Sequence, residues 1–115
     1  MLAAYRFLHV CILIYTITLV AVIHTTESFD RWFSALRDRM AQKRLQARIR
    51  RAELGNFGDC EPVGEGVSEM RIHYGPGYRV YFTRRGLEVV ILLAGGEKST
   101  QQADIRAALE LARQI

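Results

Sequence analysis

The chain is poor in the residues that build metal centres and disulfide frameworks. Its two cysteines, Cys11 and Cys60, are far apart, and no CxxC pair or Cys/His cluster accompanies them. Neither a zinc site nor a disulfide framework is therefore indicated, and a reduced, cytoplasmic setting is the simplest inference. The glycine-rich stretches also lack the spacing of a phosphate-binding loop or a dinucleotide fingerprint, so we expect no metal and no cofactor.

Lysine is scarce as well, and this affects what the positive charge is suited to bind. Of 16 basic side chains only Lys43 and Lys98 are lysines, and the others are arginines. The net charge of +4 favours a polyanionic partner, and the planar guanidinium group makes bidentate contacts with phosphate. Contact with nucleic acid is one explanation of this bias, and a genome that prefers arginine codons is the other.

Length and composition fit one globular domain preceded by an apolar segment. The chain has 115 residues, of which 50% are hydrophobic and 24% charged. Residues 7–23 form an apolar run of 17 in which His9 is the only strongly polar residue. Three interpretations are open: a membrane helix at the short limit, a signal peptide, or an extension from a misassigned start codon. We favour the extension, with residues 1–18 outside the fold, residues 19–115 as the domain, and no membrane partner.

Two amphipathic helices are predicted after a short first strand at residues 19–24. The threonines at 25–26 offer hydroxyl caps for the first helix. Its apolar stripe has the spacing i, i+3, i+4, i+7 and consists of Phe29, Trp32, Phe33 and Leu36. The second helix covers about residues 40–54 and ends at a glycine. Its basic ridge is either a solvated surface or a contact for an RNA backbone, and consists of Lys43, Arg44, Arg48, Arg50 and Arg51.

The most informative segment is VSEMRIHYGPGYRVYF, residues 67–82. It predicts two strands joined through residues 75–77, and alternation places polar side chains on one face of the sheet. That face comprises Glu69, Arg71, His73, Arg79 and Tyr81. We expect Tyr74 to pair with Tyr78 at the tip, which would put His73 opposite Arg79. Guanidinium, imidazole, phenol and carboxylate groups on one patch are what cleavage of a phosphodiester requires.

The other segments complete a small α+β domain. Residues 55–66 hold four glycines and a proline, which predicts a connecting loop. Residues 87–94 (LEVVILLA) predict a buried strand, residues 95–98 a turn, and residues 99–102 the capping box of a last helix. The predicted order is an N-terminal strand, a helical hairpin, a three-stranded antiparallel meander and a C-terminal helix.

Two blocks of the chain resemble a known family. GNFGDCEPVGEGVSEMRIHYGPGYRVYF, followed by LLAGGEKSTQQADI, is similar to the addiction-module killer branch of the RelE/ParE toxin superfamily, the phage-type HigB-like proteins. The resemblance covers about residues 20–111. It implies a RelE-like toxin fold and the toxin of a type II toxin–antitoxin pair, an endoribonuclease that cuts messenger RNA on the ribosome. It also implies a cognate helix-turn-helix antitoxin as partner.

The resemblance further implies roles for single residues. Arg79 occupies the GYR position where the superfamily carries an essential arginine, which we assign to transition-state charge. Arg71 takes the place of a basic residue on the neighbouring strand and is assigned to phosphate binding. Lys98, after the two glycines, matches a basic residue of the family's active site. The C-terminal Tyr or His that relatives use has no counterpart in residues 101–106.

Local chemistry supplies the remaining candidates. His73 and Tyr81 share the predicted face with both arginines, and an imidazole can act as base or acid near neutral pH. A histidine on a strand is also common as a structural residue. A metal-free mechanism is preferred because the sequence has no metal-ligand cluster. The predicted RNA contacts are Arg71, Tyr81, Lys43, Arg44, Arg48 and Arg51.

Two other functions stay open on the same fold. A ParE-like toxin would poison DNA gyrase by binding and would cut nothing. An inactive or regulatory module would bind only the antitoxin, and the missing C-terminal Tyr or His is consistent with that. The fold cannot separate these functions, because activity is defined by the site.

Overall fold

The computed structural model of the protein describes residues 21–115. The predicted extension, residues 1–18, lies outside this range, and so do the first two residues of the predicted first strand. Within residues 21–115 no helix combines the length and the apolar character needed to cross a membrane.

The described chain begins with β1 (Val22–Thr25) and α1 (Glu27–Ala35). Thr26 caps α1, because its hydroxyl accepts the Phe29 amide at 3.1 Å. The same hydroxyl donates to the Leu93 carbonyl at 2.6 Å. The start of the helix is thereby fixed to the sheet.

The second helix, α2 (Arg39–Glu53), is capped at both ends as its sequence suggests. Asp38 accepts the amides of Met40 at 2.9 Å and of Ala41 at 3.2 Å. At the other end Gly55 has φ +91°, a left-handed conformation that glycine adopts without steric cost. The two predicted helices are therefore present.

One five-stranded sheet and a last helix complete the domain. The strands that follow α2 are β2 (Cys60–Gly64), β3 (Val67–Ile72), β4 (Tyr78–Arg85) and β5 (Val89–Glu97). A 3-10 turn, Lys98–Thr100, leads into α3 (Gln101–Arg113). The spatial order is β1-β5-β4-β3-β2, with β1 parallel to β5 and the other pairs antiparallel. The predicted α+β class is confirmed, and the RelE-like fold stays a prediction.

The prediction of a loop throughout residues 55–66 is wrong, because Cys60–Gly64 pairs with β3 as an edge strand. The composition of the segment makes this edge strand difficult to predict from sequence. Pro62 lacks an amide donor, and a proline is accepted in a sheet mainly where that side of the strand has no partner. The meander therefore has four strands instead of three.

The predicted register between β3 and β4 is also wrong, although the faces are right. The pairs are Ile72 with Tyr78 and Arg71 with Arg79, two residues away from the predicted tip. Residues 73–77 form the connecting loop. A shift by two residues keeps every side chain on its face, because side chains alternate with a period of two.

The two faces of the sheet carry separate cores. We call the first the α1–α2 face, because both helices cover it; its buried strand residues are Met70, Ile72, Tyr78, Val80, Phe82, Val90 and Leu92. The second is the α3 face, where Val67, Tyr81 and Leu93 pack beneath Ala108. Of the polar residues that alternation assigned to one face, Glu69, Arg71, Arg79 and Tyr81 lie on strands and share this second side, whereas His73 lies in the loop beyond β3.

Gly95 and Gly96 do not form the predicted turn, because both lie inside β5. A Cβ atom on Gly95 would lie 2.1 Å from the Trp32 ring, and one on Gly96 would lie 1.9 Å from Asp104 Oδ2. The lack of a side chain at Gly95 thus makes room for Trp32 on the α1–α2 face. The lack of one at Gly96 makes room for Asp104 on the α3 face. Close approach is a recognised reason for glycine within a strand.

Candidate functional site

A polar row crosses the α3 face of the sheet. Arg71 on β3 lies directly opposite Arg79 on β4, which in turn lies opposite Gly96 on β5. On the outer side the Arg71 amide donates to the Asp59 carbonyl at 2.9 Å. The row therefore places two guanidinium groups side by side, with a carboxylate at one end and a bare glycine at the other.

Arg79 has the most unusual environment in this row. Only 7% of the residue is exposed, and its Nε is buried without a hydrogen-bond partner. It forms no ion pair within the described part of the chain. A buried cation without a counter-ion is costly, and like charges directly opposite in a sheet are destabilising. Such a group is suited to receive an anion such as a phosphate.

Arg71, in contrast, is already neutralised. Its Nη2 lies 3.0 Å from a carboxylate oxygen of Asp59 and 3.0 Å from one of Glu61. Hydrogen bonds to these two carboxylates raise the pKa of Arg71. Its Nε, like that of Arg79, is buried without a partner. One arginine of the pair is therefore held in place by carboxylates, and the other has no carboxylate partner within the described residues.

His73 lies just beyond the end of β3 and is held by the same carboxylate as Arg71. Its Nε2 is 2.5 Å from Asp59 Oδ2, and 72% of its side chain is exposed. The hydrogen bond from His73, followed by that from Arg71, lowers the pKa of Asp59. The predicted position of His73 opposite Arg79 is not observed, because the strand has ended at Ile72.

Glu69 and Tyr81 form a buried pair one row further along the sheet. Glu69 is only 2% exposed, and its carboxylate accepts the Tyr81 hydroxyl at 3.1 Å and the Gln101 amide at 2.7 Å. Burial, and then the charge of Glu69, raises the pKa of Tyr81 above its ordinary value. Tyr81 therefore stays protonated and engaged beneath α3, with no free surface for a nucleotide in this conformation.

Lys98 lies at the same end of the sheet as the two arginines. It opens the 3-10 turn, and its amide donates to the Gly77 carbonyl at 2.9 Å. Gly77 belongs to the loop that leads into β4 and Arg79, and Gly96 lies opposite Arg79. The backbone of this exposed lysine is thus anchored beside the loop, and its side chain forms no ion pair among residues 21–115.

The basic ridge of α2 continues the site around the edge of β3. A groove of about 260 Å³ is lined by Arg44, Ala47, Arg48, Arg51, Ile72 and His73. Arg44 stacks on the Tyr74 ring with its guanidinium carbon 4.7 Å from the ring centre. The Tyr74 hydroxyl donates to Asp38 at 2.9 Å, which fixes that ring. Lys43 and Arg51 are exposed on the same helix.

Arg48 lines this groove and also has a structural role. Its Nη1 donates to the Arg71 carbonyl at 2.5 Å. Its Nη2 donates to the carbonyls of Phe57 at 3.0 Å and Asp59 at 3.4 Å. Arg48 thus joins α2, the loop before β2 and the end of β3.

Sequence reasoning missed Asp59 and the loop that presents it. Gly58 has φ +66°, and a Cβ atom there would lie 2.8 Å from Arg48 Nη2. The Asn56 side chain accepts the Gly58 amide at 3.1 Å, which closes a tight turn. An Asn-x-Gly-Asp segment after a helix is the available signal, since it combines a turn residue, a left-handed glycine and a carboxylate.

Comparison with known proteins finds a family and a relative that this chain resembles. Residues 31–115 match the family described as phage derived protein Gp49-like (DUF891). An uncharacterized protein of Haemophilus influenzae is 47% identical over 93 residues, which cover 81% of this chain and 94% of that protein. No solved structure matches the chain significantly.

Proposed function

This chain belongs to the Gp49-like family of phage-derived proteins, and we propose that it is the toxin of a type II toxin–antitoxin pair. In this proposal it is a cytoplasmic endoribonuclease that cleaves messenger RNA on the ribosome without a metal. The HigB-like branch within the RelE/ParE superfamily is part of the same proposal. The observation that carries it is Arg79, a buried guanidinium with no counter-ion, directly opposite a second arginine.

The arginines supply the electrostatic part of the reaction. Attack of a 2′-oxygen on the adjacent phosphorus builds up negative charge on the phosphorane oxygens. Arg79 stabilises that charge, and because it is already desolvated it gains more from an anion than an exposed arginine would. Arg71, on the neighbouring β-strand β3, binds the same phosphate. Lys98 adds positive charge from the end of β5.

The RNA reaches this site along the basic surface of α2. Lys43, Arg44 and Arg51 lie on one exposed helix beside the groove that ends at His73. Contacts of this kind bind the backbone without reading sequence. Choice of the cleavage position then depends on how the ribosome presents the message. The expected protein partner is a helix-turn-helix antitoxin that blocks this surface.

Inducible expression of the full chain, with mapping of new 5′ ends on translated messages, tests the proposal. Wild-type protein is expected to produce cuts at in-frame codon positions, and Arg79→Ala to reduce them by about 10²–10³-fold. Arg50→Ala is the matched control, because Arg50 is an exposed arginine on α2 outside the groove. Binding of the antitoxin to each variant reports that the fold survives.

Other outcomes of this experiment point to different functions. Full toxicity of Arg79→Ala would contradict the nuclease assignment. Growth arrest without cuts would favour a gyrase poison. Neither arrest nor cuts, with antitoxin binding intact, would indicate an inactive binding module.

A further inference from the structure

One carboxylate in the loop before β2 holds two of the proposed site residues at once. Asp59 Oδ1 accepts the Arg71 guanidinium at 3.0 Å, and Asp59 Oδ2 lies 2.5 Å from His73 Nε2. Arg71 has a second carboxylate in Glu61, so its charge is neutralised without Asp59. His73 has Asp59 alone as a side-chain partner within the described residues. The contact with His73 is therefore the one that only Asp59 makes.

The backbone around Asp59 is built to hold that carboxylate in place. Arg48 donates to carbonyls on both sides of the contact, at Asp59 and at Arg71. Its close approach requires the missing side chain at Gly58. The main chain at Asp59 is further fixed by the amide of Arg71. A loop fixed at this many points presents its carboxylate in one geometry.

We propose that Asp59 is a positioning residue, which directs the Nε2–H of His73 toward its own carboxylate and leaves Nδ1 as the nitrogen that accepts the 2′-hydroxyl proton. In a neutral imidazole one nitrogen carries the proton and the other has the lone pair, and a hydrogen bond to one nitrogen decides which. A carboxylate can only accept at Nε2, so Nδ1 is left with the lone pair. This inference rests on the proposed nuclease function.

The reaction step is then defined atom by atom. The 2′-hydroxyl proton moves to Nδ1 of His73, the bond from the 2′-oxygen to phosphorus forms, and the bond from phosphorus to the 5′-oxygen breaks. The leaving 5′-oxygen takes a proton from water, and the hydroxide left behind is neutralised by the proton that Nδ1 of His73 then releases to solvent. The products are a 2′,3′-cyclic phosphate and a 5′-hydroxyl end. The exposed imidazole lines the groove with Arg44 and Arg51, so a nucleotide bound there can reach it.

The first test reads the tautomer directly. Nitrogen-15 NMR of the imidazole side chains in the full chain, with His73→Asn to assign the signal, should show His73 with its proton on Nε2. Asp59→Asn should shift this signal toward a mixture of tautomers, and Asp59→Glu should restore it in part. Glu61→Gln is the matched control: it removes a carboxylate 3.0 Å from Arg71 but makes no contact with His73. An unchanged His73 signal in Asp59→Asn would overturn the inference.

The second test measures cleavage of translated messages by the same variants. His73→Asn should lower the rate by about 10²–10⁴-fold, as expected when a general base is removed. Asp59→Asn should lower it by about tenfold or more, and the double variant should be no slower than His73→Asn alone. Glu61→Gln should stay within about threefold of wild type, since Arg71 keeps its ion pair with Asp59.

The two tests separate failure of this inference from failure of the proposed function. Additive losses in the double variant, or equal losses in Asp59→Asn and Glu61→Gln, would mean that Asp59 does not act through His73. Absence of cleavage by the wild-type protein would refute the nuclease and the catalytic role of Nδ1 together. The NMR result would still decide whether Asp59 sets the tautomer.

Discussion

The two faces of the sheet are built on opposite principles, although the same strands form both. The α1–α2 face is closed and apolar: Leu45 and Met70 are fully buried there, and two helices cover it. The α3 face is only partly apolar and keeps Glu69 and Arg79 almost completely buried. Apolar burial stabilises the fold, whereas a buried charge without a counter-ion costs stability. We infer that the apolar α1–α2 face supplies the stability that offsets the cost of burying charged groups on the α3 face.

The largest effect is expected from breaking the apolar face. Leu45→Ala would leave a cavity beneath α2, and such changes at fully buried leucines cost about 2–5 kcal/mol in the free energy of unfolding. Met40→Ala on the same helix is the control, because Met40 is 49% exposed and its truncation should cost well under about 1 kcal/mol. Urea denaturation of the two variants measures both. Equal losses in the free energy of unfolding would show that Leu45 is not packed in a closed core beneath α2.

Substitution of the two neighbouring glycines of β5 allows the packing of the two faces to be compared at adjacent positions. Gly95→Ala would drive a Cβ atom into the Trp32 ring on the α1–α2 face, and should cost about 1–3 kcal/mol as an overpacked core does. Gly96→Ala meets the Asp104 carboxylate, whose side chain can rotate away from the polar row. We expect Gly95→Ala to have the lower melting temperature. The reverse order would mean that α3 is the more rigid of the two coverings.

Removing the charge of Arg79 should separate stability from function. Arg79→Met keeps much of the side-chain length and removes the cation that faces Arg71 across the strand pair. The free energy of unfolding is expected to stay within about 1 kcal/mol of wild type, or to rise, since two like charges no longer face each other. Cleavage should be lost. A destabilisation of several kcal/mol would instead identify Arg79 as a structural residue.

The smallest expected effect is the loss of stability at low pH that arises from Asp59, at the edge of the α3 face. The pKa of Asp59 is lowered in the folded protein by His73 and then Arg71, from an ordinary value of 3.8. A lowered folded-state pKa contributes stability above the unfolded value, and this contribution disappears as pH falls through the folded value. Melting temperatures should therefore converge for wild type and Asp59→Asn as pH falls below about 4. A difference that persists at the lowest pH would exclude this charge effect.

Alternation along β3 and β4 was sufficient to predict which residues share a face. It could not predict which residues lie opposite each other, because the register depends on how many residues the loop takes. The pairing of Arg71 with Arg79 therefore came from the structure alone. Side-chain polarity is a local property of the sequence, whereas register depends on the geometry of the connection.

The contacts around Asp59 were beyond sequence reasoning for a different reason. In the sequence Arg48 is one more charge on a basic helix, and Gly58 and Asp59 are parts of a predicted connecting loop. Their roles appear only when α2, the loop and the end of β3 come together, because Arg48 on α2 donates to carbonyls of the other two segments. Pro62 hid the edge strand in the same segment. Tertiary contacts between distant segments override local composition at such places.

The parallel pairing of β1 with β5 has a consequence for when the sheet is completed during synthesis. Thr26 and Leu93, which are hydrogen-bonded, are 67 residues apart in the chain. The residues that complete the α3 face are made later still; they are Gly96, Lys98 and Gln101. Long-range closure of this kind comes late in folding. We therefore expect nascent chains arrested before Val89 to be protease-sensitive, because β1 has no partner strand until β5 has been made.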